Sequence, residues 1–391
     1  MKKILVVGSG FAGAVIAREL VNKIENLDIE VWDERDHTGG NCHTEIDKDT
    51  GIVIHKYGPH IFNTDSKEIW DYVNKFGKFN EFTNRVKAVT DNGVFSLPIN
   101  LHTINQFYNK NYTPFEARLL FNSFSKDVDI NNFEDQALNM VGKELYETFF
   151  KGYTKKQWGC HPTELPASIL KRLPVRFNYN DNYYEKKYQG IPENGYSEII
   201  NNILDHKRIK VILNKKFHIE DINESYNHVF YSGPIDNFFK FNLGRLGYRT
   251  VTFEKIQTDL DDYQGNAVIN YTSEKVPFTR IHEHKHFNPN KKYNGTIVFK
   301  EYSKETTEND IPYYPKRLEK DIKLLANYKN QAKQFNDEQT RNKEPRISFC
   351  GRLGTYRYLD MEKVISESIY FSEKSIQNII SNVDIPIFFE S

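Results

Sequence analysis

A mixed α/β fold is what the 391-residue sequence predicts, with a parallel-sheet nucleotide domain drawn from both chain ends, a helical-bundle lobe and an antiparallel β-sheet lobe. Three observations point to it. The chain opens as strand, glycine turn and helix. From about Leu101 to Leu173 good helix formers stand at helical spacing, and from about Thr250 to Tyr302 the residues alternate as in strands.

The length exceeds one ordinary domain, so separate cores are expected. Lys plus Arg equal Asp plus Glu, at 53 each, which leaves no net basic field to gather nucleic acid or an anionic membrane. Aromatic residues reach 14%, which suits a site that stacks rings. The three cysteines, Cys42, Cys160 and Cys350, lack metal-ligand spacing and speak against a disulfide framework, as in a reducing cytosol. The apolar start is broken by glycines before it could form a secretory segment, and no run of about 18 apolar residues could span a membrane. A cytoplasmic protein is therefore expected.

The first strand, Lys3 to Val7, runs into Gly8-Ser9-Gly10-Phe11-Ala12-Gly13 and then a helical run from Ala14 to Leu20. Gly8 permits the tight turn, Gly10 admits a pyrophosphate to the backbone, and Gly13 lets the helix sit close on the strand. The helix N-terminus offers free N–H groups to phosphate. A second strand, Ile29 to Trp32, ends in Asp33, placed to accept hydrogen bonds from the adenosine ribose. NAD and FAD sites share this opening. The following Glu34-Arg35-Asp36-His37-Thr38-Gly39-Gly40-Asn41 resembles the FAD loop of amine-oxidase and glutathione-reductase-like flavoproteins.

Near the far end, Arg346 to Cys350 reads as a buried strand broken by Gly351, and a helix is expected near Asp360 with Met361, Val364, Ile365 and Ile369 on its apolar face. The likeness to those flavoproteins implies that the N-terminus of this helix points at a flavin ring. The expected partition is 1–62, 186–246 and 340–391 for a discontinuous Rossmann-like FAD-binding domain, 95–185 for the helical lobe, and 63–94 and 247–339 for the β lobe. The polar stretch Gln331 to Glu344 is expected as an exposed connection.

Several longer words then appear: HKYGPHIFNT at 55–64, KGYTKKQWG at 151–159, LPASILKRLPVRF at 165–177, VPFTRIHEHKHF at 276–287 and GRLGTYRYLDM at 351–361. Together they resemble bacterial UDP-galactopyranose mutase, from the first strand to about Met361. The resemblance implies an isomerase that interconverts UDP-galactopyranose and UDP-galactofuranose. Reduced FAD would act as the nucleophile at the anomeric carbon, through a covalent flavin–sugar species. It also implies a homodimer supplying galactofuranose for cell-surface polysaccharide such as O-antigen.

On that resemblance, cofactor contacts are expected at Gly8, Gly10, Phe11, Ala12, Gly13, Asp33, Arg35, Gly40, Asn41, His60, Ile61, Arg352, Asp360 and Met361. Arg172 and Arg280 would grip the diphosphate with planar forks, and His60 would stand beside the flavin as a proton relay, making these three the catalytic candidates. Substrate contacts are expected at Asn84, Phe149, Phe150, Tyr153, Thr154, Trp158, Tyr183, Asn270, Tyr314, Arg352 and Tyr358. One of Phe149 and Phe150 is expected in the core, since adjacent helix positions diverge. Trp158, before Gly159, reads as part of a mobile flap. The word HEHKH is expected to continue a strand, its histidines on one face without carboxylate partners, so no metal is assigned. Three other readings share these features: an amine-oxidase-like flavin oxidoreductase, a UDP-N-acetylgalactopyranose mutase, and a non-catalytic nucleotide sensor. Pro59 takes a spot often held by a small residue, and the tail beyond about Ser381 resembles nothing.

Overall fold

A computed structural model describes residues 2–125, 129–172 and 174–389, with Lys171 and Arg172 described in backbone only. Strand β1 (Lys2–Val7) turns into helix α1 (Phe11–Lys23), and β2 (Leu27–Trp32) follows. Helix α2 (Lys67–Asn74) precedes the hairpin of β3 (Val86–Thr90) and β4 (Gly93–Leu97). Helices α3 (Leu101–Tyr108), α4 (Pro114–Phe124) and α5 (Phe133–Leu145) come next, and a π-wound turn at Tyr146–Lys151 leads into α6 (Gly152–Trp158). Helix α7 (Tyr196–Leu204), β5 (Ile209–Ile212) and β6 (His228–Tyr231) then return to the first sheet. Strands β7 (Tyr248–Thr258), β8 (Val268–Tyr271), β9 (Arg280–Glu283), β10 (Thr296–Glu305) and β11 (Tyr314–Pro315) build the second. Helix α8 (Glu319–Asn342), β12 (Arg346–Phe349) and α9 (Met361–Ile380) close the fold.

The first sheet is parallel throughout, in the order β12-β6-β1-β2-β5. Both of its faces are covered, which explains the unbroken apolar run at the start of the chain. Ile4, Val6, Ile29, Val31 and Phe230 face α1, α7 and α9, while Leu5, Val7, Val229, Tyr231 and Phe349 pack toward α8. Each such side chain contributes about 1.5–3 kcal/mol when fully buried. The second sheet runs β11-β7-β10-β9-β8-β3-β4. It is mixed rather than purely antiparallel, because β8 pairs parallel with β3. The third core lies among α3 to α6, where Thr113 and Glu116 form a capping box at the start of α4.

Two segments differ from expectation. Ile69, Tyr72 and Val73 of α2 belong to the parallel-sheet core, although 63–94 reads as β lobe. The stretch 331–344 is no exposed connection, since most of it lies in α8, which buries Leu325, Tyr328, Ala332, Asn336 and Gln339 as a narrow stripe. Asp321 is buried near its start as well, and the polar members serve the backbone: Asp321 accepts from Gly247 N–H at 3.1 Å, Ile347 N–H donates to Asn336 Oδ1 at 2.8 Å, and Gln339 donates to Pro345 O at 3.0 Å. The tail beyond Ser381, which resembles nothing in sequence, packs on the parallel sheet to which 340–391 is expected to belong, with Phe349 N–H donating to Ile387 O at 2.7 Å and Phe389 buried against Phe371.

Candidate active site

A cleft of about 720 Å³ runs from the β1–α1 turn to the start of α9. The glycines there have distinct tasks. Gly8 has φ +101° and a Cβ would lie 2.1 Å from Ser232 Oγ, while a Cβ on Gly13 would lie 2.0 Å from Gly8 O. At Gly10 nothing among the described residues forbids a side chain, the nearest atom being 3.9 Å away, so the space is left for a ligand. No side chain caps α1, leaving its first N–H groups open toward the cleft. Asp33 Oδ2 accepts from the Ser9 N–H at 2.8 Å and the Ser9 hydroxyl at 2.6 Å, and Oδ1 accepts from Arg35 N–H at 3.0 Å. The carboxylate is thereby held with acceptor capacity remaining.

Arg35 lies over the Tyr57 ring at 4.6 Å and donates to Asn41 at 2.8 Å, while its Nη1 is buried without a partner. A phosphate oxygen would satisfy that nitrogen. Phe11, Ala12, Gly40, Arg352, Asp360 and Met361 line the same cleft, whereas Ile61 is buried with Ile191 and Val268 beside it. Asp360 caps α9, accepting from Lys363 N–H at 3.0 Å. These residues fit a dinucleotide cofactor.

His60 also lines the cleft. Burial, reinforced by the nearby Arg352 charge, lowers its pKa to about 4, so the ring is neutral at physiological pH. Its Nδ1 is buried without a partner.

Beyond His60 lies a polar row across the second sheet. Asn270 on β8 pairs with Arg280 on β9, which pairs with Glu301 on β10. Arg280 Nε donates to Glu301 Oε1 at 2.8 Å. The same carboxylate accepts from Thr279 Oγ1 at 3.0 Å and His282 Nε2 at 3.1 Å. Burial raises the Glu301 pKa, but the Arg280 charge and the His282 bond outweigh it and hold the carboxyl at about 2. The guanidinium, itself penalised by burial, is kept charged by Glu301. Arg280 thus enters the site on a rigid strand with only Nε committed to the carboxylate.

Around it stand tyrosines. Tyr153, Tyr183 and Tyr314 all feel the Arg280 charge, yet burial raises their pKa values, Tyr314 to about 12, so they present un-ionised hydroxyls. The Tyr314 and Tyr358 rings stack at 5.7 Å, and Arg352 lies over both, 5.6 and 5.3 Å from their centroids. Asn84 and Asn270 each bury an Oδ1 that has no partner among the described residues, which a ligand donor would satisfy.

Some expected residues sit elsewhere. Phe149 and Phe150 are both buried in the helical-lobe core, Phe149 edge-on to Phe95 at 5.2 Å, because the π-wound turn sets both rings inward. Thr154 is buried within α6, and Trp158 is half-buried against the same helical core. The flap expected at Trp158 is an anchored helix end: Arg249 donates to Gln157 O at 2.9 Å and Lys156 O at 3.1 Å, and Ser303 to Gln157 O at 2.7 Å. The Arg172 side chain lies outside the described residues; its backbone ends a 3-10 turn at Ala167–Arg172.

HEHKH likewise departs from expectation. The strand stops at Glu283, His284 begins a 3-10 turn, and two of the histidines do meet carboxylates. His282 holds Glu301, while His286 Nε2 lies 3.2 Å from Asp262 and 3.5 Å from Glu283. Glu301 and Lys156 escaped the sequence reading, which also left His282 without its carboxylate partner. An acid at the buried phase of β10, after Ile297 and Phe299, was the available signal for Glu301.

A family model described as UDP-galactopyranose mutase matches residues 148–358, and one described as NAD(P)-binding Rossmann-like domain matches 6–76. A probable UDP-galactopyranose mutase of Klebsiella pneumoniae is 50% identical over 99% of this chain and 98% of its own. A dTDP-fucopyranose mutase of Escherichia coli is 48% identical over 97% and 99%. A crystal structure of reduced UDP-galactopyranose mutase shares the fold, with a TM-score of 0.73, 14% identity and coverage of 98% of this chain and 94% of that one.

Proposed function

Because the chain belongs to the UDP-galactopyranose mutase family of isomerases, we propose that it interconverts UDP-galactopyranose and UDP-galactofuranose with reduced FAD as its resident cofactor. The observation that carries this reading is the Arg280 fork, fixed by a buried carboxylate and near enough for its charge to act on His60, which lines the cleft that fits a dinucleotide. When bound, reduced flavin supplies an electron-rich nitrogen nucleophile for the anomeric carbon.

Gly10, the open start of α1, Asp33 and Arg35 would hold the cofactor's pyrophosphate and ribose. Arg280 would take the sugar-nucleotide diphosphate. Its charge is already balanced by Glu301, so it contributes mainly a preorganised fork; Arg352, which donates to the carbonyls of Leu359 and Tyr313, would supply the positive charge that a leaving diphosphate demands, with Arg172 as the second cation of this reading. Tyr153, Tyr183, Tyr314 and Tyr358 would donate hydroxyl hydrogen bonds to it. Asn84 and Asn270 would accept from hydroxyl groups of the ligand. His60, neutral, can carry a proton between the cofactor edge and the sugar without adding charge. The aromatic walls would keep water from competing at the anomeric carbon.

Among the described residues no helix is long and apolar enough to cross a membrane, and all three cysteines are free thiols. Free thiols suit a reducing compartment, and the family reading carries with it a homodimeric cytoplasmic enzyme feeding galactofuranose to cell-surface polysaccharide.

The 48% identity to a dTDP-fucopyranose mutase makes a dTDP-6-deoxysugar the second substrate to test. Dithionite-reduced protein incubated with UDP-galactofuranose should yield UDP-galactopyranose on chromatography, with the flavin still reduced at equilibrium. Conversion of dTDP-fucofuranose in its place would reassign the substrate. Consumption of reductant in step with product would make the enzyme an oxidoreductase.

A further inference from the structure

Lys156 sits in α6 between Tyr153 and Trp158, and its ammonium is enclosed by four backbone carbonyls: Tyr271 at 2.7 Å, and Ser273, Val276 and Phe278 at 2.9 Å. All four belong to one segment, from the end of β8 to the residues before β9. That turn joins Asn270 to Arg280. An ammonium has three N–H donors and no acceptor, so four carbonyls at these distances share them. A loop whose carbonyls converge on one cation has a fixed shape, because no water or loop N–H could satisfy all four at once. Burial lowers the Lys156 pKa to about 8, against the pull of Glu274, so the fold keeps this contact despite its desolvation cost.

The rest of α6 is cut to allow the approach. A Cβ on Gly152 would lie 2.5 Å from Thr272 O. Lys155 adds an exposed bridge to Glu274 at 3.0 Å, of the kind that contributes little. Across the helix, Arg249 binds the Lys156 and Gln157 carbonyls, and Gly159 at φ +67° ends the helix where a Cβ would lie 2.3 Å from Arg249 Nη1. Helix α6 is therefore fastened to the β lobe on two sides. One fastening is the turn that leads into Arg280.

We infer that Lys156 is a positioning residue for diphosphate recognition: by gathering the 271–278 carbonyls it fixes Arg280 relative to Tyr153 without itself touching substrate or cofactor. This rests on the proposal that Arg280 grips the diphosphate.

The test uses flavin-loaded protein, with UDP titrated by calorimetry into wild type, Lys156→Met, Lys156→Gln and the neighbouring Lys155→Met. Lys156→Met should weaken UDP binding about tenfold and raise KM to match, with kcat within about twofold of wild type. Lys156→Gln, whose amide still donates two hydrogen bonds, should fall between. Lys155→Met should bind as wild type does. Hydrogen exchange across 271–279 should quicken in the Lys156 variants alone. A Lys156→Met protein that binds UDP as tightly as wild type, per mole of flavin, overturns the inference, and if that variant fails to load flavin the same comparison on Lys156→Gln decides. Should wild type itself bind no UDP, the diphosphate reading falls, and unchanged exchange across 271–279 then overturns the clamp independently.

Discussion

Arg280 and Glu301 face each other across adjacent strands, Nε to Oε1 at 2.8 Å, with the carboxylate almost wholly buried. The pair is neutral as a unit before any anion arrives. Removing one partner strands the other's charge. Glu301→Gln should therefore cost about 3–5 kcal/mol of stability, seen as a lowered Tm. A diphosphate can replace the missing negative charge, so UDP should raise the Tm of this variant more than that of wild type. Equal shifts would mean that UDP does not sit at Arg280.

The glycines of the first turn separate folding from cofactor loading. Gly10→Ala leaves the protein free of clashes but fills the space reserved for the pyrophosphate, so the variant should fold and load markedly less flavin. Gly13→Ala drives its Cβ to 2.0 Å from Gly8 O and should lower the yield of folded protein itself. Flavin absorbance per folded chain, measured beside circular dichroism, distinguishes the two. Full flavin loading in Gly10→Ala would place the pyrophosphate elsewhere.

The nucleotide half was legible because its signals are local. A β-branched strand, three glycines with separate backbone duties and an acid at the end of β2 need no tertiary knowledge, and the helix after Asp360 announced itself through the spacing of Met361, Val364, Ile365 and Ile369. Helix α8 was not legible, since Asn336 and Gln339 look like surface residues until β12 lies beside them. Phe149 and Phe150 depended on a change of helical winding that residue spacing does not reveal. Glu301 and Lys156 have meaning only through partners 21 and 115 to 122 residues away. Such pairings are set by sheet register and lobe docking.

Buried neutral histidines set the acid limit. Burial lowers the pKa of His55 and His228 to about 3 and, with Arg352, that of His60 to about 4. In the unfolded chain each titrates near 6.5. Between those values the unfolded state binds protons that the native state refuses, so stability rises with pH. It is complete above about pH 6.5 and is lost as pH falls toward 4 and then 3, by about 1.4 kcal/mol per unit for each group. The Tm should hold from pH 8 to 7 and drop steadily from pH 6.5 to 5. A flat Tm over that lower range would mean that these rings are hydrated in solution.

Charge and geometry can be separated at Arg280 itself. Glu301 already neutralises its charge, so its contribution should come largely from the fork that Nη1 and Nη2 present once Nε is fixed. Arg280→Ala removes both and leaves Glu301 buried without its main cation; catalytic efficiency should fall by several kcal/mol, on the order of a hundredfold or more. Arg280→Lys restores a cation for Glu301 but loses the planar fork. An ammonium on a flexible stem that satisfies Glu301 cannot also span two phosphate oxygens, so Lys should rescue stability well and turnover poorly. Melting curves and kcat/KM on flavin-loaded, reduced protein measure the two effects separately. If Lys restores both to near wild type, only the charge matters and the fork is not the device that holds the diphosphate. If both Ala and Lys retain near-wild-type conversion of UDP-galactofuranose, Arg280 does not bind the diphosphate, and the site must be rebuilt around Arg352 and Arg172.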